Sequence, residues 1–316
     1  MSIKKIAAAA MTVGMVMSFI PASVMAAKPG WDGNDDDGWY YYTSETEFVK
    51  SDWKQIGGYW YYFGNEGIMY EDGWYYIDDK FYHFDKNGHM EKNKWIDCGS
   101  LQWQDDSPDD KEYQNKREWR YVGSDGAAYT GWKKVSGVWY FFSEYDAMMF
   151  YGWHWDQKGQ SYYNFDGNGK YRRNCWFKWY NSYGEIEWYY FGSDGLASTG
   201  WKKVSKKWYY FDPEEGFMWS GICEIGGKYY YLASGGDMLT GWIKYATLGH
   251  TNYWYYAGSD GALYQNQWLK SSGIWYYFDE SKEMVSNTTI VINGYEYDFD
   301  ASGKCTNPSG RKVEAV

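Results

Sequence analysis

The sequence predicts an all-β fold, a solenoid of stacked β-hairpins with about three hairpins per turn. Three observations carry that prediction. A leading Trp recurs at Trp53, Trp74, Trp95, Trp132, Trp153, Trp176, Trp201, Trp242 and Trp268. A second aromatic cluster follows most of them, as in Trp60-Tyr-Tyr-Phe63, Trp139-Tyr-Phe-Phe142, Trp188-Tyr-Tyr-Phe191, Trp208-Tyr-Tyr-Phe211 and Trp275-Tyr-Tyr-Phe278. Turn residues separate the two clusters. A period of about 20 residues is the mark of a repeat architecture, and it points to a repeated surface rather than one catalytic pocket.

The chain opens on a processing signal. Lys4 and Lys5 precede an apolar run from Ile6 to Ile20 that is short for a membrane span, and Val24-Met25-Ala26 fits a small-residue cleavage site. Residues 1–26 therefore read as a signal peptide cut after Ala26, and the protein as exported. No later segment is apolar enough to cross a bilayer. Residues 27–37 read as an acidic linker; its run Asp32–Asp37 lacks the glycine and the distal glutamate that a calcium loop requires. The repeat array then covers residues 38–306, about 11 hairpins, beginning with a half unit near Gly38, and residues 307–316 form a tail.

Within a repeat the spacing is regular. The leading residue and the second cluster usually lie 7 apart, and the next leading residue follows 13 or 14 later. Ile222 and Thr289 replace the leading Trp in two units. In Trp208-Tyr209-Tyr210-Phe211 alternate residues share a face, which is the period of a strand. Tyr209 and Phe211 are expected to pack inward. Gly57-Gly58, Ser136-Gly137, Gly226-Gly227 and Ser272-Gly273 between the clusters specify tight hairpin turns. A Met often stands nine residues after the second cluster begins, at Met69, Met90, Met148, Met238 and Met284, with Met218 shifted by one.

The long insertions fall in the first turn, in the third, sixth and ninth repeats. Trp95 to Trp119 spans 24 residues, while Trp176 to Trp188 and Trp242 to Trp254 span 12 each. These same repeats carry Gly-Ser-Asp-Gly turns at 123–126, 192–195 and 258–261. A super-period of three hairpins follows, either as the geometry of one solenoid turn or as the trace of duplicated three-hairpin blocks; the two are compatible.

The formal charge is −11, and loss of Lys4 and Lys5 with the signal takes it to −13. Such an acidic chain is a poor match for nucleic acid. It suits a cationic or neutral ligand, and acidity also keeps an aromatic-rich exported chain in solution. Aromatics make up 23% of residues, so the mean hydropathy of −0.74 does not signal disorder. Cys98, Cys175, Cys223 and Cys305 are irregularly spaced; export permits disulfides, but buried unpaired thiols are the expected state. His83, His89, His154 and His250 are scattered, and no zinc-type spacing exists. No cofactor, metal or catalytic role is expected, and the oligomeric state is open.

The pattern of Gly-Trp, short turn, Trp-Tyr-Tyr-Phe, Gly-x-Met and a further Gly-Trp resembles the choline-binding, or cell-wall-binding, repeats of Gram-positive bacterial surface proteins. The glucan-binding repeats of exported glucosyltransferases are similar. The resemblance implies a left-handed solenoid and ligand sites between consecutive hairpins, each using the leading Trp, an aromatic of the second strand, an aromatic of the next hairpin and often a Met. Carried onto this chain, the candidate ligand residues are Trp53, Trp60, Tyr62 and Met69; Trp132, Trp139 and Met148; Trp201, Trp208, Tyr210 and Met218; Trp242, Trp254 and Tyr256, with Leu263 in the Met place; and Trp268, Trp275, Tyr277 and Met284. A quaternary ammonium is held by aromatic faces, and a sugar ring can lie flat on the same faces. The implied partners are therefore choline-bearing teichoic acid, or a wall or extracellular polysaccharide. A non-catalytic, secreted or cell-surface attachment protein is expected, with an adhesin or scaffold for glucan or host glycans as the alternative.

Overall fold

The computed structural model describes residues 28–100, 116–246 and 252–313. The expected signal peptide and the long loops of the third and ninth repeats lie outside the described residues. Among those described, the chain forms eleven two-stranded antiparallel sheets and one three-stranded sheet. It divides into two compact units, Met1–Ile96 with Arg120–Tyr129, and Asp97–Trp119 with Thr130–Val316. Each unit repeats one local plan. No helix among the described residues is long and apolar enough to cross a membrane.

Each hairpin is named below by its leading residue. In the Trp201 hairpin, Gly200–Val204 pairs with Lys207–Phe211, placing Trp201 opposite Tyr210 and Lys203 opposite Trp208. The same register pairs Trp53 with Tyr62, Trp242 with Tyr256 and Trp268 with Tyr277. Positions of the returning strand are counted so that Lys207 is first and Phe211 fifth. Most connecting turns hold two residues at positive φ, the twist that suits two antiparallel strands. Gly226 and Gly227 do this without strain at 59° and 75°, whereas Ser205 and Lys206 adopt 48° and 72° with side chains attached.

The fifth position is the core. Phe63, Phe84, Phe142, Phe165, Phe191, Phe211 and Phe278 are completely buried, and Val122 and Leu232 fill the same place. Phe211 thus packs as expected. After each hairpin the chain turns back and donates one backbone hydrogen bond to the previous hairpin. Met90 N donates to Trp60 O, Met238 N to Trp208 O and Met284 N to Trp254 O, at 2.7–2.8 Å. The Met side chain then lies under the following turn. A Cβ on Gly88 would come within 2.3 Å of Met69 Sδ, so that turn, at φ +74°, favours glycine.

Two boundaries differ from the sequence reading. Gly30–Asn34 pairs with Gly38–Tyr42, so the stretch read as an acidic linker is the first strand and turn of a hairpin. Trp31 is its leading residue, and Asn34 Oδ1 accepts from the Asp36 and Asp37 amides at 2.9 Å. The carboxylates crowd an exposed turn, and their density hid the strand. At the other end, Arg311–Lys312 adds a third strand beside Tyr295–Phe299, so part of the expected tail is folded. The four cysteines are free thiols, but Cys305 alone is buried and the other three are half-exposed. The insertion of the sixth repeat is a turn, with Asn181 Oδ1 accepting from the Tyr183 and Glu185 amides at 3.0 Å.

Candidate functional site

One aromatic contact recurs from hairpin to hairpin. Most leading Trp meet, edge to face, the third-position Tyr of the next hairpin. Trp53 meets Tyr82 at a centroid distance of 4.7 Å, and Trp132 meets Tyr163, Trp176 meets Tyr209, Trp201 meets Tyr230 and Trp268 meets Tyr297 at 4.9 Å. Trp242 and Tyr276 lie 4.8 Å apart. The second-position Trp stands nearly perpendicular to the leading Trp. Their centroids are 6.5 Å apart for Trp201 and Trp208, 6.2 Å for Trp242 and Trp254, and 6.1 Å for Trp268 and Trp275. Two Trp of one hairpin and a Tyr of the next therefore form a three-walled cage. Its outer wall reaches solvent: Trp60, Trp139, Trp188 and Trp208 are 39–41% exposed. These third-position Tyr were the residues missed in the sequence, and Tyr209, expected to pack inward, is one of them. Their signal was the Tyr of each cluster directly after the second-position residue, but which hairpin it serves depends on stacking.

The Trp132 cage is a pocket of about 270 Å³ lined by Trp132, Trp139, Tyr163, Tyr171 and Asp194. Tyr171 occupies the Met place after the Trp153 hairpin and lies 5.4 Å from Trp132. Burial first, and then the Asp156 and Asp194 carboxylates, push the Tyr163 hydroxyl above its ordinary pKa. Tyr82 is raised in the same way, by burial first and then by Asp125 and Asp78.

The structure regroups the other expected residues. Tyr62, Tyr210, Tyr256 and Tyr277 sit across the hairpin from the leading Trp, 5.1–5.4 Å from it, and brace it. The Met assignments shift by one hairpin, because each linker bonds back to the hairpin before its own. By these backbone bonds Met90 is tied to the Trp53–Trp60 hairpin, Met238 to the Trp201–Trp208 hairpin, Met284 to the Trp242–Trp254 hairpin and Cys305 to the Trp268–Trp275 hairpin. Met69 and Met218 bond instead to Trp39 and Trp188. Leu263 bonds to Tyr229 and so does not weaken the Trp242 cage. In the Trp132 hairpin the linker residue is Met149, not Met148: a one-residue longer turn puts Met149 N on Trp119 O at 2.8 Å and buries its side chain.

The cages draw cations from within the chain itself. At Trp74 the third position of the next hairpin is Arg120, whose guanidinium lies 4.6 Å from the Trp74 ring centre and 5.2 Å from that of Phe81. Lys203, Lys244 and Lys270 hold their ammonium groups 5.3–5.8 Å from the rings of Trp208, Trp254 and Trp275. Electron-rich ring faces attract such cations. Among the described residues no group of three or more His, Cys, Asp or Glu is placed to hold a metal ion.

Comparison with known proteins agrees with this geometry. Residues 179–222 match the choline-binding repeat, and residues 51–69, 72–90, 130–144 and 266–281 match the putative cell wall binding repeat. The fold is similar to that of choline-binding protein F of Streptococcus pneumoniae, with a TM-score of 0.62 and 27% identity over 89% of this chain and 100% of that one. A second structure of that protein was solved in the presence of a peptidoglycan analogue, a tetrasaccharide-pentapeptide. CbpJ from Streptococcus pneumoniae gives a TM-score of 0.63 at 25% identity over 88% of this chain and 100% of that one. A stretch of 150 residues is 31% identical to glucosyltransferase-S of Streptococcus mutans serotype c, covering 47% of this chain and only 10% of that enzyme. Repeat matches, cage geometry and fold agree: the chain is a choline-binding, or cell-wall-binding, repeat protein resembling the pneumococcal proteins CbpF and CbpJ.

Proposed function

We propose that this protein is a non-catalytic, exported attachment protein that holds the bacterial envelope through repeated aromatic cages. The recurring cage of leading Trp, second-position Trp and next-hairpin Tyr carries the reading. A quaternary ammonium has no N–H to donate, so three ring faces serve it better than a polar pocket would. Choline on teichoic acid is the ligand this favours, and several weak cages on one polymer add up to firm attachment. The regular return of long first turns, seen at 181–185, supports three hairpins per turn within each unit, and the family resemblance supports a left-handed winding.

A second reading follows from the stretch shared with glucosyltransferase-S, namely that the cages stack sugar rings of wall or extracellular polysaccharide. One experiment separates the two. The chain from Ala27 onward is loaded on a tertiary-amine resin, washed in high salt and eluted with free choline. The salt wash matters because an acidic chain binds amines by charge alone. Retention in salt with release by choline supports ammonium cages. Loss in the wash rejects them and directs the test to wall polysaccharide and dextran.

A further inference from the structure

Three of the cages share a flanking ion pair that the Trp132 cage lacks. In these the returning strand of the second hairpin opens with a lysine that reaches an aspartate in the turn after the third hairpin. Lys80 lies 3.9 Å from Asp125, Lys207 2.9 Å from Asp237 and Lys228 3.0 Å from Asp260. These pairs stand beside the cages of Trp53, Trp176 and Trp201 respectively. Each lysine is two residues before the third-position Tyr that closes its cage, Tyr82, Tyr209 or Tyr230.

The Trp132 cage breaks the pattern. The lysine's place is taken by Ser161, two residues before Tyr163, and its hydroxyl turns inward to donate to Ala197 O at 2.8 Å. Asp194 holds the same Gly-Ser-Asp-Gly position as Asp125 and Asp260. It accepts the Leu196 amide at 3.2 Å, as the turn requires. No lysine or arginine pairs with it among the described residues, and it lines the pocket with Trp132, Trp139, Tyr163 and Tyr171. The acid of this turn position is therefore paired with a lysine beside the Trp53 and Trp201 cages and left without one beside the Trp132 cage.

We propose that Asp194 makes the Trp132 cage the charge-discriminating site of the array, selecting a cationic ammonium head group over a neutral group of the same shape. Beside a cage flanked by a Lys–Asp pair, the lysine offsets the field of its aspartate. The proposal rests on the reading that the cages bind an ammonium ligand. Asp194 is exposed, so its contribution is modest: an exposed pair changes affinity by about twofold to fivefold.

The test uses the full chain labelled with 5-fluorotryptophan, its ¹⁹F signals assigned by single Trp→Phe substitutions. It is titrated with choline and with 3,3-dimethylbutan-1-ol, the uncharged carbon isostere. Asp194→Asn keeps the turn hydrogen bond and removes the charge. It is expected to weaken choline at the Trp132 and Trp139 signals by about threefold at low salt, to leave the isostere unchanged, and to lose its effect in high salt. Lys228→Met, which frees Asp260, is expected to tighten choline at Trp201 and Trp208 by a similar factor. Unchanged choline affinity in Asp194→Asn, or an equal loss for the isostere, overturns the proposal while leaving the cages as ligand sites. Failure of both probes to move any Trp signal of the parent overturns the attachment reading itself, and this proposal with it.

Discussion

Trp201 rests edge to face on Tyr230 of the following hairpin, their ring centroids 4.9 Å apart. Trp201 therefore serves two ends: it is a cage wall and a bolt between hairpins. Trp208, 41% exposed, is a wall only. Trp208→Ala is expected to remove ligand at this cage with a stability loss under about 1 kcal/mol, whereas Trp201→Ala loses ligand and also about 2 kcal/mol or more of stability. Site-resolved choline titration beside urea denaturation separates the two variants.

The fifth-position residues carry the fold. Phe211 is completely buried, and Phe211→Ala is expected to cost about 3–5 kcal/mol and to loosen the neighbouring hairpins. Amide hydrogen exchange should show the loss centred on the Trp201 hairpin; protection unchanged there would contradict the core assignment.

Lys206 sits at φ 72°, in the left-handed region. Lys206→Gly relieves a cost of about 1 kcal/mol and should raise stability by roughly that amount with choline binding intact. A shift in the urea midpoint at constant slope is the readout.

Alkaline pH should unfold the protein. Burial, the leading cause in each case, raises the hydroxyls of Tyr61, Tyr82 and Tyr163, and it pushes Tyr255 up to about 12, with Glu283 adding to the shift. A raised folded-state pKa gives stability that is complete below the unfolded value, near 10, and lost as pH climbs through the folded value. Ultraviolet titration should show a late class of tyrosines ionising together with unfolding between about pH 10 and 12.

Arg120 occupies the third wall at Trp74. Arg120→Tyr exchanges the built-in cation for a ring and is expected to add one weak choline site. Calorimetric stoichiometry, compared with the parent, checks it; an unchanged count would mean that Phe81 cannot replace a second Trp.

Much of this was legible in the sequence, for a physical reason. Strand alternation, paired turn residues and the Trp beat report on contacts within one hairpin, and Trp201, Trp208 and Phe211 fall where their spacing puts them. What failed concerned contacts between hairpins. Met69 was grouped with Trp53 by proximity in the chain, yet it bonds to Trp39 because the linker reaches backwards. Tyr209 looked like core but closes a cage begun by Trp176. Gly30–Asn34 was masked by its acids, since charge density speaks for solvent and says nothing of backbone pairing.

The Trp132 pocket draws Trp132 and Trp139 from one hairpin, Tyr163 from the next and Asp194 from the turn after a third. No repeat owns a site, so ownership belongs to the seam. A hairpin excised from such an array destroys two cages and fuses their remnants into one of mixed parentage, while a hairpin duplicated in place creates one with no mutation at all. Affinity can thus be inherited through copy number, and the charge preference of any cage is rewritten by whichever neighbour recombination sets two places along.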